Sequence, residues 1–69
     1  MTRYEFSLAV VGKTMDQVIA AVGRPEKTSE SEGRTIWDYS NRTSHPVTGE
    51  IDPLAQVIFK DGLVTDVLF

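Results

Sequence analysis

The feature that most constrains the fold is a short apolar run with a capping residue before it and glycine and proline after it. Thr14 can cap a helix, because its hydroxyl accepts the free backbone N–H groups of the first turn, and the acidic and amide residues that follow suit the positive end of the helix. Gly23 can end the helix in a left-handed conformation, and Pro25 prevents its continuation. The sequence therefore predicts a helix from Thr14 to Val22.

Length and composition restrict the class of protein. The 69 residues form one domain, residues 1–69, with a small core. The composition, 41% hydrophobic and 25% charged, is typical of a folded domain. The net charge of -3 and the scattered lysines and arginines argue against nucleic-acid binding, which needs a clustered basic surface. The lack of cysteine excludes disulfides, thiol catalysis and zinc–thiolate sites in this chain.

The N-terminal segment, residues 4–11, fits two structures. Apolar residues alternate with polar or small ones, which is the pattern of a half-buried strand. Phe6, Ala9 and Val10 also lie at helical spacing, so a short helix before Gly12 fits equally. Both alternatives remain open on pattern alone.

The rest of the chain has the pattern of antiparallel strands. Three strands are predicted, over residues 35–40, 54–60 and 63–69. Asp61-Gly62 joins the last two as a hairpin, because both residues tolerate a positive φ. Residues 26–34 are predicted to be a loop or hairpin turn, and residues 41–53 a turn-rich excursion between strands. The predicted fold class is α+β, with the N-terminal helical segment packed on a three-stranded antiparallel meander.

The register of the last hairpin points to an irregularity. A regular two-residue turn would place Val57 opposite Asp66, which is a poor match on a buried face. A β-bulge near Thr65-Asp66 lets Val64 and Val67 both face the core, and a three-residue loop would do the same through a different register.

Apolar residues remain on both faces of the predicted sheet. Leu54 and Ile58 alternate with Val57 and Phe59 along one strand, and one helix cannot cover two faces. Either residues 4–11 cover the second face and complete the core, or that face or an open sheet edge binds another protein.

The sequence offers few groups for catalysis or metal binding. His45, the only histidine, stands beside a proline in a turn-rich loop, and we interpret it as a solvated loop residue. The paired carboxylates lie in turns. A weak calcium site at Glu50 and Asp52 would lack the dense oxygen ligands of a strong one, and solvated charge is the favoured interpretation. We expect no enzyme activity, no metal and no cofactor.

Three residues of the first predicted strand and its end can each be interpreted as structural or as binding residues. Trp37 is interpreted as core rather than as a ligand platform, because a small domain needs such bulk. Tyr39 fits either role, since its hydroxyl needs water or a polar partner. Arg42 is either a surface cation or part of a contact patch.

Four short blocks follow one another along residues 12–67: Gly12-x-Thr14-x-x-Gln17-Val18, Gly23-x-Pro25, Thr35-x-Trp37-x-Tyr39-x-x-Arg42 and Val57-x-Phe59-x-x-Gly62-x-Val64-x-x-Val67. Together they resemble the SmpA/OmlA (BamE-like) family, which belongs with folds related to β-lactamase inhibitor protein. Lys13 replaces the methionine usual after the first glycine, and Asp38 stands where an aromatic residue is often found.

The resemblance implies helical N-terminal structure on a three-stranded antiparallel sheet, and it favours the helical alternative for residues 4–11. It implies a non-enzymatic periplasmic component or modulator of the outer-membrane β-barrel assembly machinery. Such a protein is a lipoprotein at the periplasmic face of the outer membrane, provided that the natural precursor carries a lipoprotein signal. The expected partners are barrel-assembly subunits and anionic phospholipid, and not nucleic acid.

By position, the resemblance transfers Arg42, with Trp37 and Tyr39 in support. We therefore predict a binding patch formed by Tyr39, Asn41 and Arg42. Two alternatives remain open. One is a proteinaceous enzyme inhibitor of the β-lactamase inhibitor type that acts through loop 41–53, and the other is self-association through an exposed strand edge.

Overall fold

The computed structural model describes all 69 residues, and two helices precede six strands along the chain. Their bounds are α1 (Arg3–Val10), α2 (Met15–Val22), β1 (Lys27–Ser31), β2 (Arg34–Tyr39), β3 (Thr43–Ser44), β4 (Ile51–Asp52), β5 (Ala55–Lys60) and β6 (Leu63–Leu68). Four strands form an antiparallel sheet in the order β1-β2-β5-β6, and β3 pairs with β4 in a separate ribbon. The predicted α+β class is confirmed. Neither helix has the length and apolar character needed to cross a membrane.

Both helices begin with a capping box. In α1 the Thr2 hydroxyl accepts a hydrogen bond from the Glu5 N–H at 3.1 Å, and the Glu5 carboxylate accepts one from the Thr2 N–H at 2.9 Å. Thr14 and Gln17 make the same reciprocal pair at the start of α2. Each box satisfies two N–H groups that have no partner inside the helix. The predicted helix 14–22 and the helical alternative for residues 4–11 are both confirmed.

The end of α2 differs from its prediction. Gly23 has the expected positive φ, 87°, but its ψ is -176°, so the residue is extended rather than left-handed helical. This region of backbone space is essentially restricted to glycine. The extended ψ carries the chain away from the helix toward Pro25, and the Gly23 carbonyl meets the Tyr39 hydroxyl at 2.9 Å.

The sheet has a strand that the sequence pattern missed. Within the predicted loop or turn 26–34, only Glu32-Gly33 is the turn, with φ values of 53° and 78°. Lys27–Ser31 forms β1 and pairs with β2 in a regular register that ends at Ser31 opposite Arg34. All five β1 residues are exposed, so no apolar periodicity marks the strand. The prediction of a three-stranded meander is therefore wrong, because the sheet has a fourth strand at its edge. Backbone pairing with β2 holds this strand.

The hairpin between β5 and β6 contains the predicted bulge. Phe59 pairs with Val64 and Ile58 pairs with Asp66, which leaves Thr65 as the extra residue. The bulge restores the inward side chains: Val64 is buried, and Val67 packs against the core. Both turn residues, Asp61-Gly62, have positive φ, as predicted.

One core lies between the two helices and one sheet face. It consists of nine buried residues from both helices and three strands: Phe6, Val10, Val18, Trp37, Tyr39, Ala55, Val57, Phe59 and Val64. Trp37 is 7% exposed, which confirms it as a core residue. Because α1 joins the same core as α2, residues 4–11 do not cover the second sheet face. That alternative is wrong.

Candidate binding surfaces

Tyr39, the first residue of the predicted binding patch, is a core residue. Its side chain has no exposed surface, and its ring meets the Phe6 ring edge-on with centroids 5.5 Å apart. Its hydroxyl donates a hydrogen bond to the Gly23 carbonyl at 2.9 Å. Burial raises the pKa of Tyr39 to about 12. Tyr39 therefore offers no surface to a partner and can only support the patch.

Arg42 binds the C-terminal end of α2. One guanidinium nitrogen donates to the Val22 carbonyl at 2.8 Å, and the other donates to the Arg24 carbonyl at 3.4 Å and to the Glu26 carboxylate at 2.9 Å. The guanidinium carbon lies 5.4 Å from the centroid of the Tyr39 ring. The carbonyls at a helix C-terminus carry partial negative charge, so a cation there stabilises the helix. The side chain keeps 36% of its surface exposed.

Asn41 is the accessible member of the patch. It is exposed and adopts a left-handed turn with φ of 54°. Beside it, the Ser40 N–H donates to the Glu26 carboxylate at 3.0 Å, and this bond, more than the neighbouring Arg42, lowers the pKa of Glu26. The structure thus brings Tyr39 and Arg42 together at the end of α2 and leaves Asn41 free beside them. A binding role for these residues stays a prediction.

A partly buried ion pair joins α1 to the β3–β4 ribbon. The Arg3 guanidinium donates to both oxygens of Asp52, at 2.9 and 2.6 Å, and the Thr43 hydroxyl donates to the same carboxylate at 2.8 Å. The hydrogen bond from Arg3, followed by that from Thr43, lowers the pKa of Asp52 to about 2. Asp52 is 8% exposed, so its interpretation as solvated charge, or as half of a calcium site with Glu50, is corrected.

The β3–β4 ribbon is held at its base and exposed at its tip. The Ser44 N–H donates to the Met1 carbonyl at 2.9 Å, which aligns the N-terminus with β3. At the tip, the His45 ring nitrogen Nδ1 accepts from the N–H groups of Val47 and Thr48 at 3.1 and 3.3 Å. His45 therefore organises the turn, and Val47 is 86% exposed.

The sheet face opposite the helices, here called the outer face, is uncovered. Ile36 pairs with Ile58 at its centre, and both are half-buried. Leu54 and Leu68, at one end, are 41% and 52% exposed. A groove of about 340 Å³ opens there, and it is lined by Asp52, Pro53, Leu54, Gln56, Leu68 and Phe69. Polar residues surround this apolar surface, as at many protein contact sites.

The two edges of the sheet differ. The linker between the helices covers part of the β6 edge, because the Gly12 N–H donates to the Val64 carbonyl and the Val64 N–H donates to the Lys13 carbonyl, both at 3.0 Å. A bridge between Thr14 and Leu63 extends this cover. The β1 edge has no neighbouring strand. Open edges of this kind can pair with another chain.

Comparisons with protein-family models, curated proteins and solved structures find no match to this chain. In the fold, two of the four sequence blocks contact each other. Gly23, from the second block, meets Tyr39 and Arg42, from the third block, at the C-terminal end of α2. The Tyr39 and Arg42 positions of the motif are therefore packing positions in this protein, which the sequence alone did not reveal.

Proposed function

We propose that the chain is a non-enzymatic protein-binding module that binds subunits of the outer-membrane β-barrel assembly machinery. The observation that carries the proposal is the uncovered outer face, where Leu54 and Leu68 are 41% and 52% exposed while both helices pack on the other face. Exposed apolar patches rimmed by polar residues are typical of protein interaction sites. With a lipoprotein signal on the natural precursor, the module would act at the periplasmic face of the outer membrane.

The BamE-like part of the proposal is supported by the resemblance of the sequence blocks. It is also supported by the general architecture of this chain, because N-terminal helices pack on an antiparallel sheet, as the resemblance implies. The fourth sheet strand, β1, is a departure from the three strands that the resemblance implies. The barrel-assembly role therefore needs a binding experiment with defined subunits.

The test compares two variants, Leu68→Glu and Val47→Glu, in which an apolar residue on a different surface is replaced by glutamate. Purified barrel-assembly subunits are immobilised, and binding of the full chain is measured by surface plasmon resonance. Leu68→Glu places a charge on the outer face and is expected to weaken binding at least about tenfold, because a carboxylate is costly to bury against an apolar partner. Val47→Glu, on the ribbon tip, is the matched control and should bind normally. Equal affinity of both variants for the subunits would contradict the proposal.

The predicted patch is tested with Asn41→Gly. This change keeps the positive φ and removes only the exposed side chain. It is preferable to Arg42→Glu, which would place a negative charge against the carbonyls that end α2. Weaker subunit binding by Asn41→Gly at unchanged stability would assign Asn41 to the interface. Co-sedimentation with phosphatidylglycerol vesicles, compared with phosphatidylcholine vesicles, tests the proposed anionic-lipid ligand, and added salt should weaken it.

A second candidate function is enzyme inhibition through loop 41–53. It is supported by the ribbon, which is tied to the N-terminus at its base and presents Val47, 86% exposed, at its tip. An exposed loop that is fixed at its base loses little conformational entropy when it enters an enzyme cleft. The same variants test it in a β-lactamase inhibition assay: Val47→Glu should abolish inhibition and Leu68→Glu should not. Absence of inhibition by the unmodified chain would exclude this candidate.

A further inference from the structure

A groove lies beside the open edge of the sheet, between β1 and the start of α2. It measures about 520 Å³ and is lined by Met15, Thr28, Ser29, Glu30, Thr35 and Trp37. Trp37 is nearly buried and Met15 is half-buried, so both form an apolar floor, while Glu30 is exposed at the rim. The groove and the bare edge are adjacent because β1 lies at the end of the sheet.

The backbone of β1 is oriented for pairing with a further strand. Ser31 and Arg34 flank a two-residue turn, so they form a hydrogen-bonded pair, and such pairs alternate along an antiparallel ladder. Ser29 therefore bonds to β2. Thr28 and Glu30 direct their N–H and C=O groups away from β2, toward solvent. These backbone groups can bond to an added strand.

The side chains of the same two residues point toward the groove. Thr28 pairs with Trp37 in the ladder, and directly opposite residues of two strands share one sheet face. That face is the helix side, since Trp37 belongs to the core. In an added antiparallel strand, the residue opposite Thr28 would lie above Met15 and Trp37. The residue two positions before it would lie beside the Glu30 carboxylate.

The charge of the β1 segment indicates what kind of strand can pair with it. Residues 26–32 contain three glutamates and one lysine, a net charge of -2 within a chain of net charge -3. A second copy of this edge would bring two such acidic segments together, which is unfavourable. A strand with positive charge is attracted instead.

We infer that the β1 edge and its groove bind an extended basic segment of a partner protein as a fifth, antiparallel strand with the pattern basic-x-apolar. The apolar side chain contacts Met15 and Trp37, and the basic side chain pairs with Glu30. Backbone hydrogen bonds supply affinity, and the groove and the carboxylate supply specificity. The inference rests on the proposed protein-binding function and names the chemistry of one partner segment.

The first test uses a blocked peptide, acetyl-Thr-Arg-Thr-Leu-Thr-Arg-Thr-amide, added to the isotope-labelled full chain. The largest amide chemical-shift changes are expected at Thr28 and Glu30, their amide hydrogen exchange should slow, and the fluorescence of Trp37 should change. Absence of these changes at about 1 mM peptide, or changes confined to other surfaces, would overturn the inference.

The second test is a charge exchange at the rim. Glu30→Lys is expected to weaken peptide binding about tenfold, and a peptide with glutamate in place of each arginine should regain affinity for this variant. Glu32→Lys is the matched control, because it makes the same change of charge in the adjacent turn without facing the groove. Equal weakening by Glu30→Lys and Glu32→Lys would contradict a specific pair.

Comparing subunit binding with peptide binding separates this inference from the proposed function, and sedimentation tests whether a second copy occupies the edge. If barrel-assembly subunits bind while the peptide does not, the β1 inference is overturned and the proposed function stands. If the peptide binds at β1 while the subunits fail to bind, the inference stands and the assembly role fails. Concentration-dependent mass in sedimentation, with β1 amide changes in the absence of peptide, would identify a second copy as the occupant and overturn the inference.

Discussion

The hydroxyl of Tyr39 donates a hydrogen bond to the carbonyl oxygen of Gly23 at 2.9 Å, between residues 16 positions apart. One residue earlier in the helix, the Val22 carbonyl accepts from Arg42 at 2.8 Å. The end of β2 and the residues after it are thus fastened to the end of α2. A substitution at Tyr39 or Arg42 therefore acts first on folding, and any binding experiment on them must be read together with a stability measurement.

Removing the Tyr39 hydroxyl should destabilise the fold modestly. We expect Tyr39→Phe to lower the free energy of unfolding by about 1 kcal/mol, because the Gly23 carbonyl loses its side-chain partner. Urea unfolding followed by Trp37 fluorescence measures the change. Tyr4→Phe makes the same chemical change at a residue that is 70% exposed and should have no effect. Equal stability of the two variants would contradict a contribution from this hydrogen bond.

Stability should also decline at alkaline pH through Tyr39. Burial raises its pKa from 10.0 to about 12, so the folded state holds the phenol proton more tightly than the unfolded state. The contribution is fully present below pH 10 and is lost as the pH rises through about 12. Comparison of urea midpoints across this window should show a steeper decline for the unmodified chain than for Tyr39→Phe. Parallel profiles would be inconsistent with the raised pKa.

Acid should destabilise the chain through Asp52. Its pKa is lowered from 3.8 to about 2, so its contribution is present above pH 3.8 and is lost as the pH falls through about 2. Asp52→Asn should be less stable than the unmodified chain at neutral pH, and its stability should vary less with acid pH. Some acid dependence should persist, because the pKa values of Glu5 and Glu26 are also lowered. Asp66→Asn, at an exposed carboxylate, is the control and should retain the full acid decline.

The conformation of Gly23 predicts a stereochemical preference. With φ of 87° and ψ of -176°, an L-residue is strained here, and we expect Gly23→Ala to cost about 1–3 kcal/mol of stability. The chain is short enough for chemical synthesis, and D-alanine at the same position should cost less because it favours positive φ. Thermal unfolding compares the two. The explanation fails if L-alanine and D-alanine give equal stability.

The parts of the fold that could be predicted from sequence depend on local chemistry. Thr14 caps α2 as predicted, and the Asp61-Gly62 turn and the bulge at Thr65 follow from turn preferences and from side-chain alternation. β1 could not be found in this way, because an exposed edge strand needs no buried side chains. Its only local sign is the turn at Glu32-Gly33, which fits a hairpin as well as a loop.

The candidate surfaces were less predictable, because they depend on contacts between distant residues. Arg3 and Asp52 lie 49 positions apart, and neither has a local pattern that identifies its partner. The outer face is uncovered because α1 packs on the same sheet face as α2. The sequence of residues 4–11 alone does not specify which sheet face this helix covers. Arg42 stays a predicted binding residue, and its contacts with the end of α2 could not be foreseen from its spacing in the sequence.

The most direct test of the account is the solvent exposure of the outer face, measured by NMR with a soluble gadolinium chelate that relaxes accessible methyl groups. Leu68 and Val57 are the matched pair, because Leu68 is 52% exposed on the outer face and Val57 is 0% exposed in the core beneath the helices. We expect strong relaxation at the Leu68 methyls, weak relaxation at Val57, and protection of Leu68 when barrel-assembly subunits are added. Equal protection of Leu68 and Val57 in the free chain would mean that the outer face is covered, and would contradict the account.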